Sequence, residues 1–332
     1  MKTAPAGKVI PEGPGYLVAD LFPARHQPRS TRVGVEQELL AFDAATGAAV
    51  DIERVRRAVQ GTSLAGAVAF EPGGQVELNL PCSPCPRALE IAVRAGLSDL
   101  RQRCDDEGVR LEAAPVDPRP IDQLPLQLRS DRYLAMQAHF DRIGPAGRRM
   151  MRQTAGTQVC LDWWPGRAGL EQWRVLLLAG PFLAAALSRS AGPDSRLATW
   201  LAVDPERTGF DDRLLRGDDP VTAYTAFARG AGRFVPAGQH LSTLFPPVRP
   251  RGRYLEVRFL DAQPDHLVGP IASLLADLLY DDDRRRQVLA QVAPEQHRLA
   301  DLWSTAALTP DAIADLGHEL LGDAAFALAG AA

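Results

Sequence analysis

Four short stretches set acidic or amide side chains against apolar ones at alternate positions. They are Val33-Gly34-Val35-Glu36-Gln37-Glu38, Glu71-Pro72-Gly73-Gly74-Gln75-Val76-Glu77-Leu78-Asn79, Thr157-Gln158-Val159-Cys160-Leu161-Asp162 and Tyr254-Leu255-Glu256-Val257-Arg258-Phe259-Leu260-Asp261. Residues two apart on a strand share a face. Glu36 therefore points with Glu38, Gln75 with Glu77 and Asn79, and Glu256 with Arg258. A sheet that gathered these faces would line a cavity with carboxylates, whose chief chemical use is to hold hard, oxygen-seeking cations. Taken singly, Glu36 with Glu38, or Glu77, is also what an exposed strand face carries. Glu256 and Arg258 put an anion and a cation in one place. They form either a plain same-face ion pair or a division of labour in phosphoryl transfer, with Glu256 on a metal and Arg258 on the moving phosphoryl group. Together the stretches suggest a magnesium-nucleotide enzyme.

The Pro72-Gly73-Gly74 turn allows close approach of backbone to a ligand, yet it is no P-loop, because the terminal Gly-Lys-Ser/Thr is missing. Lysine occurs only as Lys2 and Lys8. Any phosphate contact in the folded body must therefore use arginine, backbone N–H groups or metal, and neither a Walker lysine nor a Schiff-base lysine is available there. Arg148, Arg149 and Arg152 read either as a solvated turn or as forks for a substrate carboxylate or phosphate. The six histidines show no ligand spacing for zinc, and no serine sits in a nucleophile elbow.

With 332 residues the chain can bury a large core, and 46% hydrophobic and 23% charged residues describe a water-soluble globular protein. A net charge of −4 exerts no general pull toward nucleic acid or anionic membrane. Cys82-Ser83-Pro84-Cys85 has the spacing of half a zinc site, but no second pair completes one, and free thiols in a reducing compartment are the simpler reading. No apolar h-region follows Met1-Lys2-Thr3, and the most apolar run, Val175 to Leu187, is broken by Gly180-Pro181 and too short to span a bilayer. The expectation is a cytoplasmic protein, a monomer or small homo-oligomer, acting on small molecules.

The elements that must carry these residues follow from pattern. Residues 1–28, rich in Pro and Gly, read as a loosely held arm, and residues 29–332 as one catalytic domain. Strands are expected over residues 33–42, 109–114, 157–162 and 253–261, and residues 70–80 hold a further acidic strand introduced by the Pro72-Gly73-Gly74 turn. Leu89, Ala92, Val93, Leu97, Leu100 and Cys104 repeat at helical spacing behind Pro86, which suits a first helical turn. Further helices are expected near 132–143, 170–190, 222–229, 265–280, 282–293 and 310–329, with the 170–190 helix buried for want of polar surface. Gly144-Pro145-Ala146-Gly147 is expected to break regular structure, and Arg148–Arg152 to lead into the third strand. Strands early, helices late and no βαβ alternation argue for an α+β domain around a largely antiparallel sheet.

These motifs are similar in kind and order to those of the glutamate–cysteine ligases of plant and actinobacterial type, and within that family most to the branch serving ergothioneine synthesis. The resemblance rests on the four stretches above, on Met150-Met-Arg-Gln-Thr154, on Ser195-Arg196 with Trp200 and Asp204-Pro-Glu-Arg-Thr-Gly209, and on His240 to Gly252 with Asp261-Ala-Gln-Pro264. It implies a glutamine-synthetase-like catalytic fold, a curved, mainly antiparallel sheet with helices packed outside. It also implies that ATP phosphorylates the γ-carboxylate of glutamate, after which the amine of cysteine displaces phosphate to give γ-glutamylcysteine. By position, Glu36, Glu38, Glu77 and Glu256 would hold Mg2+ and Arg258 would meet the transferred phosphoryl group. Gln75 and Gln158 would lie at the metal-nucleotide edge, and Arg152, Arg196, Trp200 and Arg207 would bind substrate or support its binding. Cys160 departs from the asparagine usual there, and the chain ends short of a C-terminal segment that longer relatives carry. The acceptor is therefore left open between cysteine and another amine in specialised metabolism, with a catalytically silent binding or regulatory paralogue as the contrasting reading.

Overall fold

The structure, a computed structural model, describes residues 18–322. Seven strands form the sheet: β1 (Val33–Asp43), β2 (Val68–Phe70), β3 (Val76–Asn79), β4 (Val109–Glu112), β5 (Gly156–Asp162), β6 (Val248–Pro250) and β7 (Tyr254–Asp261). Their order is β2-β3-β1-β5-β7-β6, every pairing is antiparallel, and β4 joins the far end of β1. Alternation along β1 sends Val33, Val35 and Leu39 into the core and Glu36 and Glu38 to the opposite face. The apolar face packs on helices Pro86–Asp106, Gly166–Ala186 and Asp265–Tyr280. The Gly166–Ala186 helix is buried almost throughout, as its composition predicts. Gly180 lets it approach closely, because a Cβ there would meet the Trp303 ring at 2.7 Å.

The acidic strand expected behind the Pro72-Gly73-Gly74 turn is β3, and its pairing with β2 on the other side of the turn makes the segment a hairpin. Gly74, at φ 92°, occupies the left-handed region, and the Glu71 and Gln75 backbones close the turn with a 2.9 Å hydrogen bond. The predicted break at residues 144–147 is confined to Gly144-Pro145. A helix restarts at Ala146 and runs to Gln153, so Arg148–Arg152 are helical rather than a lead-in to β5. Pattern reading also missed the helix Leu299–Leu308 and the short strand β6. At the C-terminal end, a 3₁₀ turn over Pro310–Ala312 precedes the helix Ala314–Leu321, and the remainder of the predicted 310–329 helix lies outside the described residues.

Residues 1–17 of the expected arm also lie outside them. From Val18 onward, Leu21 is buried, Phe22 packs against Trp163 at 5.0 Å, and Gln27 donates to the Trp163 carbonyl. One aromatic anchor, Phe22, set against the Trp163, Trp173 and Tyr224 rings, ties the segment to the body. Among the described residues no helix is long and apolar enough to cross a membrane.

Candidate active site

Register gathers the acids. β1 pairs Glu38 opposite Glu77 and Glu36 opposite Asn79, while β5 sets Cys160 opposite Glu256 of β7. The β2–β3 hairpin then brings Glu71 beside them, so that one oxygen from each of Glu38, Glu71 and Glu77 lies within 4.8 Å of the others. These groups line a cavity of about 570 Å³ together with Glu36, Glu256 and the arginines Arg132, Arg249, Arg251 and Arg258.

The carboxylates fall into two electrostatic classes. Burial, then the neighbouring acids, push Glu71 and Glu77 up to about 8, and Glu36 and Glu38 are raised by the same burial. Burial also opposes the Glu256 charge, but Arg249, Arg251 and Arg258 outweigh it and hold that group below the usual range. Their guanidiniums lie 3.3, 3.1 and 2.9 Å from its carboxylate oxygens. The arginines near the first class do not offset its burial, whereas the three around Glu256 do. The buried Glu38 and Glu77 with the half-buried Glu71, and the Asn79 Oδ1 atom beside them unpartnered among the described residues, form a donor set that fits a hard divalent cation.

Each residue expected from sequence has a definite place. Glu36, Glu38, Glu77, Glu256, Gln75, Gln158, Trp200 and Arg258 all line the cavity. Gln158 sits where the β5–β7 register shifts. Its Nε2 donates to Glu38 at 2.9 Å, and its Oε1 accepts from Arg258 at 3.4 Å. Gln75 gives its amide to backbone, donating to the Thr154 carbonyl at 2.8 Å and accepting from Gly73, so it holds the hairpin as well as facing the cavity. Arg258 lies over the Trp200 and Phe245 rings, and its Nη1 is buried without a partner among the described residues. The Cys160 thiol points at Glu36 from 3.7 Å.

Three arginines do not line this cavity. Arg152 lies behind the Gly73 turn. Arg196 is fully buried, donates to the Arg258 carbonyl at 3.0 Å and stacks on Trp200, so it supports from beneath. Arg207 is spent on Asp204, Thr243 and Gly232. Sequence reasoning gave no roles to Glu71, Arg249, Arg251, Arg132 or Tyr133. The signal for Arg249 and Arg251 was present: two arginines two apart, just before the turn at Gly252, obey the same shared-face rule as the acids.

The sequence matches the profile of Glutamate-cysteine ligase family 2 over residues 32–312. It is 34% identical to the glutamate–cysteine ligase EgtA of Mycolicibacterium smegmatis over 284 residues, 72% of this chain and 65% of that protein, so it spans just under two thirds of this relative's length. It is 30% identical to EgtA of Mycobacterium tuberculosis over 327 residues, 83% of this chain and 74% of that one. Among solved structures, glutamate–cysteine ligase from Francisella tularensis in complex with AMP superposes with a TM-score of 0.54 at 12% identity, covering 92% of this chain and 82% of that one. The bifunctional glutathione synthetase of Pasteurella multocida gives 0.52 at 12% identity, covering 88% of this chain and 47% of that one. These likenesses bear out the α+β, glutamine-synthetase-like architecture.

Proposed function

The chain belongs to glutamate–cysteine ligase family 2, and from that premise we propose that it joins the γ-carboxylate of glutamate to the amine of cysteine at the expense of ATP, through γ-glutamyl phosphate. The observation that carries this reading is the cavity with two electrostatic halves, an unneutralised acid trio beside an arginine cluster on one sheet face. Carboxylate phosphorylation asks for positioning and charge neutralisation rather than a protein nucleophile, and the cavity offers that. Glu38, Glu71 and Glu77, with Glu36 and Glu256, would hold Mg2+. Held there, the ion would supply charge neutralisation for the phosphate groups.

The residues of the chain supply the rest. Arg258 has an unpartnered Nη1 in a buried setting, and it neutralises charge on the transferred group, where low local dielectric strengthens the interaction. Gln158 fixes Arg258 relative to Glu38. Trp200 and Phe245 keep water from that end of the cavity. Arg249, Arg251 and Arg258 are each paired with Glu256, whereas Arg132 forms no ion pair among the described residues and lies over Tyr133 at 4.5 Å. Arg132 is thus the cavity guanidinium available to a substrate carboxylate. A cytoplasmic setting suits a reaction that consumes ATP, and the likeness to EgtA favours a place in ergothioneine synthesis.

The test is ADP release with glutamate against a panel of amines, with mass detection of product. Cysteine-dependent turnover yielding γ-glutamylcysteine is expected. Turnover with a different amine alone would keep the ligase and replace the acceptor, and no glutamyl transfer to any amine would reject the reading.

A further inference from the structure

Two walls of the cavity come from distant parts of the chain. The helix Asp131–Ile143 presents Arg132, Tyr133 and Met136, and the segment 237–245 presents Gln239, Ser242 and Phe245. Two turns along the helix from Arg132, on the same face, is His139. Its Nε2 lies 3.3 Å from the Asp204 carboxylate, and its ring stacks on Phe234 at 4.1 Å with a 17° tilt. Asp204 also pairs with Arg207 at 3.0 Å. From there the wholly buried Arg207 reaches the second wall: Nη1 donates to Thr243 Oγ1 at 3.0 Å, Nη2 donates to the Gly232 carbonyl, and the Arg207 carbonyl accepts from the Phe245 N–H at 2.8 Å. The chain of contacts His139–Asp204–Arg207–Thr243 runs behind the cavity from one wall to the other.

The groups facing His139 are Asp204, Arg207, Arg142 and the Phe140 and Phe234 rings. Burial pushes its pKa down, Arg207 and Arg142 add to that, and the Asp204 bond only partly offsets them. The ring is therefore neutral near pH 7. Because an ionised carboxylate only accepts, the proton sits on Nε2 and is donated to Asp204.

We infer that His139 is a positioning residue that fastens the substrate-facing helix to the 232–245 segment through Asp204 and Arg207, so that the two walls hold the amino-acid substrates as one unit. The identity of those substrates rests on the ligase reading; the fastening does not. His139→Phe keeps an aromatic ring against Phe234 and deletes the donor, whereas His139→Gln keeps a donor. On the full-length protein, His139→Phe is expected to speed amide hydrogen exchange in 237–245 by roughly tenfold or more, the weight of one hydrogen bond to a charged group. It should raise KM for the amino acids, with kcat and the KM for ATP near wild type, and His139→Gln should restore both readouts. Unchanged exchange in His139→Phe, or no rescue by His139→Gln, would overturn the fastening. Wild-type protein without glutamate-dependent ADP release would instead reject the ligase reading, and the exchange measurement would still decide the fastening.

Discussion

Glu77 and Glu256 face the same cavity, yet their substitution by glutamine should have opposite structural consequences. Glu77 is pushed up to about 8 by burial and by Glu71 and Glu38, so much of it is already protonated near neutral pH, and a neutral amide of the same shape replaces it at little cost. Glu77→Gln should keep or slightly raise the melting temperature of the metal-free protein. It should cost activity more than the roughly ten- to hundredfold expected for losing an outer-shell partner. Glu256 holds Arg249, Arg251 and Arg258. Glu256→Gln would leave buried guanidiniums uncompensated, a loss on the order of 3–5 kcal/mol. Thermal melts of both variants, with and without Mg2+, separate the cases; equal destabilisation would contradict the two-class picture of the acids.

The β2–β3 hairpin shows why part of the site was legible and part was not. The period-two pattern correctly put Gln75 and Glu77 on one face, because alternation is a property of any strand. It did not reveal the hairpin, since Gly73-Gly74 accommodates either a flexible strand entry or a reversal, and only the pairing partner decides. Glu71 therefore entered the acid trio through the turn. Similarly, Arg196 and Arg207 are recognisable in sequence as parts of motifs, but their direction depends on tertiary packing, which turns both behind the wall rather than into it. Gly74→Ala tests the hairpin as an element. A Cβ at φ 92° is strained and would meet Gln127 Nε2. The expected cost is about 1–2 kcal/mol, with divalent-cation affinity reduced because Glu71 is displaced. An unchanged affinity would mean that Glu71 is not part of the cation site.

At the scale of the whole molecule, one sheet spends its apolar face on the helical core and its polar face on a cavity that holds excess protons. Glu71 and Glu77 titrate near 8 in the folded chain against an ordinary value of 4.5. Between those values the folded state binds more protons than the unfolded one, so the stability these groups contribute is fully present below about pH 4.5 and is lost as pH rises through about 8. Metal-free protein should thus lose melting temperature across that window, and divalent cation should restore it most at the alkaline end while releasing protons. A cation-independent melting temperature across the window would contradict this. The most direct measurement of the central claim follows oxygen-18 from the γ-carboxylate of labelled glutamate during turnover. Attack of that carboxylate on ATP, followed by displacement by the amine, must leave one labelled oxygen in each inorganic phosphate released. Phosphate that carries no label, alongside continued γ-glutamyl product, would contradict γ-glutamyl phosphate chemistry in this cavity.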